Sequence, residues 1–250
     1  MILRPIGAAR VAGPEPLPVW SAIEPRQLGH AEEYWLVTQP DHAALAGQLA
    51  AAIRAEWMPE LSRDAIKAIA VHDEGWVDFD QVALRERSRP HSFIEVSPAQ
   101  FLRAWTSSIE HAASIAPLAG IMVSRHFCRL LRARAESPSE TQQDQGLMQT
   151  FLQCESERRQ RLSVSLPEAE MEALVDVLQL CDVFSLYLCC GATEEIEFPQ
   201  SFGGRKMRLR CTGEDAFVLN PSPFPSPVSI SLPAQHWPNG NRLWLFADLA

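Results

Sequence analysis

The sequence predicts a mainly α-helical protein with a small antiparallel β unit at its C-terminal end. Apolar residues recur at helical spacing through most of the stretch from Gln39 to Cys190. From Glu194 onward they alternate instead, with Met207, Leu209 and Cys211 set between charged residues. Pro221, Pro223, Pro225 and Pro227 also fall in this last part, where they suit a rigid irregular connection and not a central strand. With 250 residues, 46% hydrophobic and 21% charged, the chain can bury one substantial core. The expected division is a helical body with an extended N-terminal segment over 1–192 and a β appendage packed on it over 193–250.

The net charge of −9 argues against a nucleic-acid polymer or an anionic membrane as partner. It leaves room for a local basic pocket that holds one phosphate. The first residues, Met-Ile-Leu-Arg-Pro-Ile-Gly, lack the apolar core of a signal peptide. The most apolar long stretch, Val175 to Ala192, is interrupted by Asp176, Gln179 and Asp182, so no membrane span is expected. Cysteines 128, 154, 181, 189, 190 and 211 have no zinc-ribbon or Cys-x-x-Cys spacing and read as reduced, mostly core residues. A cytoplasmic location is the expectation.

In chain order, residues 1–33 carry Pro5, Pro14, Pro16, Pro18 and Pro25 and are expected to run as extended segments and turns. Tyr34-Trp35-Leu36-Val37-Thr38 is a short strand. Gln39-Pro40-Asp41 opens a helix to about Trp57, capped by Thr38 or Asp41, with His42, Leu45, Ala46, Leu49 and Ile53 on one face. A second helix is expected from Ser62 to Asp73 and a loop over 77–98. Further helices are expected at 98–111 and 112–135, the latter with Ala119, Val123, His126 and Leu130 on one face. Residues 137–143 form a polar break, and Gly146 to Leu162 is helical with a charged, solvated end. Pro167 starts a last helix that Gly191 stops, with Leu174, Val175, Leu178, Leu186 and Cys189 buried and Asp182 in their midst. Asn239-Gly240 before Leu243-Trp-Leu-Phe signals a hairpin.

The stretch from Ala65 to Trp76, Ala-Ile-Lys-Ala-Ile-Ala-Val-His-Asp-Glu-Gly-Trp, carries the chemistry. At helical spacing Asp73 shares a face with Ile66, Ile69 and Ala70, where a lone carboxylate is costly unless something positive meets it. One buried histidine is ordinarily a core residue satisfied by a hydrogen bond. Here His42, the His72-Asp73 pair, His126 and Asp182 all occupy buried faces, on four separate helices. Convergence on one divalent cation explains them together, and imidazole with carboxylate suits manganese, nickel, zinc or iron.

The order His, His-Asp, distant Asp resembles the HD-domain superfamily of metal-dependent phosphohydrolases, whose PDEase-like fold is a helical bundle. The resemblance implies His42, His72, Asp73 and Asp182 as metal ligands and such a bundle as the fold. His126, in Val-Ser-Arg-His-Phe, fits the additional histidine that some members place on an intermediate helix. Over about 34–246 the chain also resembles a family of bacterial proteins grouped only as a domain of unknown function. The pieces that carry this likeness are Gln-x-x-His-Ala, His-Asp-x-Gly-Trp, Ser-Arg-His-Phe, Asp-x-x-Ser-Leu and Asn-Pro-x-Pro-Phe. Gly75-Trp76 stands where many hydrolytic HD members have a lysine, and His126 has no paired histidine beside it. One metal is therefore expected, not two.

The HD resemblance implies hydrolysis of a phosphoester or phosphoanhydride of a small molecule, plausibly a nucleotide. Asp73 would be both a ligand and the holder of the attacking water's proton, and Glu74 and His126 are the other candidates for acid–base work. Arg125 or Lys67 could pair with a phosphate oxygen, and Trp76 could wall the pocket. Two other classes stay open: iron-dependent oxygen chemistry on the same residues, and a non-catalytic metal- or ligand-binding module.

Overall fold

Ile2 and Leu3, next to the N-terminus, are buried as part of a strand, and this alters the architecture. The computed structural model describes residues 1–7, 15–86, 88–135, 141–213 and 215–250. Pro14 and residues 137–140 of the expected polar break lie outside the described residues. The strands are β1 (Ile2–Pro5), β2 (Leu17–Pro18), β3 (Tyr34–Val37), β4 (Ile196–Phe202), β5 (Arg205–Gly213), β6 (Ala216–Asn220), β7 (Val228–Trp237) and β8 (Arg242–Leu249). The helices are α1 (Val19–Leu28), α2 (Gln39–Ala52), α3 (Arg63–Ala70), α4 (Val77–Ala83), α5 (Pro98–Ile115), α6 (Pro117–Ala135), α7 (Gln142–Leu162) and α8 (Glu168–Cys189).

All eight strands form one mixed, strongly curled sheet in the order β1-β3-β7-β8-β6-β5-β4-β2. The protein is therefore mixed α/β, and the expected HD-type helical bundle with a small C-terminal antiparallel appendage is not its fold. The N-terminal strands overturn it. β3 pairs antiparallel with β7 through Trp35 and His236, and β1 pairs with β3 through Leu3 and Leu36. β2 adds parallel to β4. The β3–β7 and β2–β4 pairings join segments from opposite ends of the chain, and no local periodicity reports them. The expected hairpin forms between β7 and β8, in register from Val228↔Leu249 to Gln235↔Arg242.

The outer edge of β1 is closed by a side chain. The Gln27 amide accepts from the Leu3 N–H (3.0 Å) and donates to the Leu3 carbonyl (2.8 Å), imitating one more strand at an edge that would otherwise be open. Gln27 lies on α1, a helix where extended chain was expected. Pro18 precedes its first residue, and Pro25 sits inside the helix, costing it one backbone bond. Burial of Val19, Ala22, Ile23 and Gln27 outweighs that loss. α4 likewise replaces part of the expected 77–98 loop, and its buried Asp80 accepts from the N–H of Gln39, the first residue of α2, at 2.5 Å.

Helix α8 is the centre of the helical layer, with 14 of its 22 residues buried. Helices α2, α3 and α6 pack around it. It ends as expected at Gly191, where the Gly191 N–H reaches Leu188 O (3.1 Å) and the Ala192 N–H reaches Tyr187 O (3.3 Å). Among the described residues no helix is long and apolar enough to cross a membrane.

Gly75 is where the chain touches α5 most closely. A Cβ there would stand 2.1 Å from the Ala104 carbonyl oxygen and 2.5 Å from the Ser108 nitrogen, both backbone atoms that cannot swing aside. Gly75→Ala should therefore destabilise the protein by about 1–3 kcal/mol or more, read as a lowered denaturant midpoint. An unchanged midpoint would contradict this close approach.

Candidate metal centre

His42 lies in the first turns of α2, which Thr38 caps by accepting the Asp41 N–H at 3.1 Å. Gly47, one turn further on, lets α2 approach α3, since a Cβ there would lie 2.4 Å from Ala70 Cβ. The His72-Asp73 pair was expected on the last turn of a helix reaching Asp73. Instead α3 ends at Ala70, and the chain tightens into turns that lead to a 3-10 segment, Glu74–Trp76. Successive residues on an α-helix point about 100° apart. Leaving the helix lets both His72 and Asp73 turn inward, and both are buried. The Gly75 N–H donates to Ser108 Oγ at 2.9 Å and fixes the turn against α5. His126 comes from α6 and Asp182 from the middle of α8.

The structure brings these five side chains together. His42 Nε2 lies 3.0 Å from Asp73 Oδ2 and 3.7 Å from Asp182 Oδ1. His72 Nε2 lies 3.6 Å from Asp73 Oδ2 and 3.4 Å from Asp182 Oδ1. His126 Nε2 lies 3.5 Å from Asp182 Oδ2. The rings stand edge to face, with centroids 5.0 Å apart for His42–His72 and 5.5 Å for His72–His126. Two overlapping triads, His42-His72-Asp73 and His72-His126-Asp182, each bring their ligand atoms within 4.8 Å of one another.

The far sides of two rings settle where their protons are. His72 Nδ1 donates to the Ile69 carbonyl at 2.8 Å. The Ser185 hydroxyl gives its proton to the Asp182 carbonyl (2.8 Å), so its contact with His42 Nδ1 (2.7 Å) requires that nitrogen to be the donor. In their neutral forms both rings then aim a bare Nε2 lone pair at carboxylate oxygens. Lone pairs facing carboxylates at such distances repel unless a proton or a cation lies between them. Outer hydrogen bonds that hold histidines in this tautomer are the usual support of metal-ligating imidazoles. The buried groups His42, His72, Asp73, His126 and Asp182 can hold a metal ion. Nitrogen with carboxylate oxygen suits manganese, iron, nickel or zinc.

Burial opposes a charge on His72, but Asp73 and Asp182 overcome it and raise its pKa from 6.5 to about 9. At His126 burial prevails over the attraction of Asp182, and the pKa falls to about 4. Burial would raise Asp182, yet the neighbouring imidazoles, His72 first, bring it down to about 2. The histidines are at most 1% exposed, whereas Asp73 and Asp182 are 7% and 5% exposed, so solvent reaches the cluster along its carboxylate edge.

Other residues singled out in the sequence lie elsewhere. Glu74 is half-buried in the 3-10 segment and is not in either triad. Arg125 pairs with Glu168 and Glu172, and Lys67 is exposed. Trp76 is buried against Phe79 in the core. Sequence reasoning gave no role to Ser185, although a hydroxyl one turn after Asp182 in the apolar run Val-Phe-Ser-Leu-Tyr-Leu was a visible signal. Ile69, whose contribution is a backbone carbonyl, left no signal at all.

A family model described as "Protein of unknown function (DUF3891)" matches residues 28–238, and the chain belongs to that family. No curated protein and no solved structure matches the chain.

The pKa shifts set the pH dependence of the metal-free protein. The raised His72 contributes stability that is complete below about pH 6.5 and lost as pH rises through about 9. The lowered Asp182 contributes stability that is present above pH 3.8 and lost as pH falls through about 2. A cation takes the place of the His72 proton, so metal affinity should rise over the same alkaline window. Thermal melts of chelated protein should thus show Tm falling from pH 6.5 to 9, with metal restoring it most at the alkaline end. A flat, metal-insensitive Tm would mean that the carboxylates do not converge on His72.

Proposed function

We propose that the protein is a metal-dependent hydrolase of a small phosphorylated molecule, with nucleotides among its candidate substrates. His42, His72, Asp73 and Asp182 hold one divalent metal, and His126 completes the cluster. The observation that carries this reading is that the anchors at Ile69 and Ser185 turn the Nε2 atoms of His72 and His42 on two buried carboxylates. The ligand order His, His-Asp, distant Asp supports hydrolysis in particular, because it resembles the order in HD-domain phosphohydrolases. The resemblance concerns the ligands alone and not the fold around them.

A bound divalent metal supplies a Lewis acid that brings the pKa of a coordinated water toward 7. The chain's own groups do the rest. Asp73, at the edge that solvent reaches, receives the water's proton at a carboxylate oxygen. His126 stays neutral at physiological pH, and its Nδ1 is buried without a hydrogen-bond partner. Its Nε2, which faces the cluster 3.5 Å from Asp182 Oδ2, exchanges a proton or a hydrogen bond with the substrate. The burial of all three imidazoles keeps bulk water from competing for the ligands. The partner is a small phosphorylated molecule, neither a nucleic-acid polymer nor a membrane. The six unpaired cysteines support a cytoplasmic setting.

Elemental analysis of protein purified without an affinity tag tests the centre, and phosphate release from a panel of phosphoesters and nucleotides tests the chemistry. The expected result is about one equivalent of manganese, nickel, zinc or iron, lost in His72→Ala, with phosphate release stimulated by added manganese or nickel. Asp182→Asn should abolish both metal and turnover while circular dichroism stays native. His126→Gln should keep the metal and lower kcat by about 10²–10⁴-fold. Absence of metal after reconstitution would overturn the reading. Iron with a visible absorbance and oxygen consumption, but no phosphate release, would overturn hydrolysis and favour oxygen chemistry.

A further inference from the structure

Next to the candidate metal centre, α6 and α7 carry a group of arginines that the proposed chemistry has not used. Arg129 lies three residues after His126, with Arg125 and Arg132 near it on α6, and Arg159 reaches in from α7. With Cys128, Glu168 and Glu172 they line a cleft of about 370 Å³. Asp176 and Gln179, which hold Arg129 at 2.6 and 2.7 Å, lie six and three residues before Asp182 on α8. The cleft therefore sits roughly 5–9 Å along the helices from the metal ligands.

The contacts within the cleft already show a carboxylate bound as an anion would be. Glu172 places one oxygen on Arg125 and the other on Arg129. Glu168 is forked on Arg125 at 2.5 and 2.9 Å. These glutamates are rim groups, with side chains 73% exposed at Glu168 and 41% at Glu172, and surface pairs of this kind contribute little stability. Arg159 donates only to uncharged partners, Ser124 Oγ at 2.7 Å and Cys128 Sγ at 3.3 Å. Among the described residues no carboxylate pairs with Arg132 or Arg159. The lining thus carries more positive than negative charge in a chain whose net charge is −9. Guanidinium forks match phosphate geometry, and a phosphate dianion competes well against a solvated glutamate.

We propose that this cleft is a phosphate subsite, in which a substrate phosphate displaces Glu168 and Glu172 from the arginines. Resting on the hydrolase reading, it assigns the substrate to molecules with more than one phosphate, one held here and another presented to the metal. Calorimetry with inorganic phosphate tests it, on the purified protein with its metal and again after chelation. Arg132→Gln should weaken phosphate binding about tenfold, the loss of one charge-assisted bond. Glu168→Gln should tighten it, an outcome opposite to the loss expected if that pair served only structure. Both variants should keep their metal, and binding should survive chelation. No phosphate binding at millimolar concentration, or binding indifferent to both substitutions, would overturn the subsite. Phosphate that is lost on chelation and insensitive to Arg132→Gln is bound at the metal alone, which overturns the cleft and leaves the hydrolase reading standing.

Discussion

Two carboxylates, Asp73 and Asp182, are buried among three imidazoles, and the neighbouring structure answers to that placement. An ionised carboxylate taken out of water is tolerated only when paired and hydrogen-bonded. Protons alone answer this demand incompletely. A proton on His72 offsets one carboxylate, while burial keeps His126 from taking another. A divalent cation balances both carboxylates while leaving every imidazole neutral, the form in which imidazole is a ligand. A metal ion is therefore an occupant that the charges of this cluster can hold.

Meeting that constraint takes specific geometry from each helix. The C-terminal half of α8 is buried on nearly every side, so Asp182 is delivered from a run of otherwise apolar residues. α2 is anchored at its start by Thr38 and Asp80 and drawn toward α3 at Gly47, which sets the depth of His42. The end of α3 at Ala70 gives up helical hydrogen bonds to turn two adjacent side chains inward, and the contact of Gly75 with α5 holds them there. A methyl group at either glycine would push a ligand away from the others. Metal sites tolerate displacements of only a few tenths of an ångström, so close packing and metal binding depend on the same contacts here.

The convergence of the buried histidines and aspartates was more legible in the sequence than the fold, for physical reasons. His42 and Asp182 stand on long helices whose apolar stripes are readable at a spacing of three and four, so their inward direction was legible. The inward direction of Asp73 was read correctly from a helix that does not extend to it, because burial and not helical phase places it. The sheet was only half legible. Its C-terminal strands alternate visibly, but Ile2–Pro5 and Leu17–Pro18 are too short for any period, and the partner of Leu17–Pro18 lies far along the chain. Pro25 hid α1 because a helix with a proline in it is stable only through the tertiary burial of Ile23 and Gln27. Ser185 and the Ile69 carbonyl act from behind the ligands, where composition carries almost no signal.

What separates a metal cage from a buried ion-pair network is the direction of the hydrogens. In a network of neutral rings the imidazoles would give their protons to the acids and accept bonds on their other nitrogens. Here the Nδ1 protons of His42 and His72 go to Ser185 and Ile69, so each ring offers the acids an Nε2 lone pair whenever it is neutral. His126 differs, since its Nδ1 has no hydrogen-bond partner among the described residues and its ring is placed by packing on His72 and Phe127 and by Asp182 beside Nε2. It therefore lacks the outer hydrogen bond that orients the other two rings. The cluster therefore divides into two anchored imidazoles and one without an outer hydrogen bond. Under the proposed function the anchored pair would hold the ion, and His126, with the arginine cleft beside it on α6, would meet the substrate.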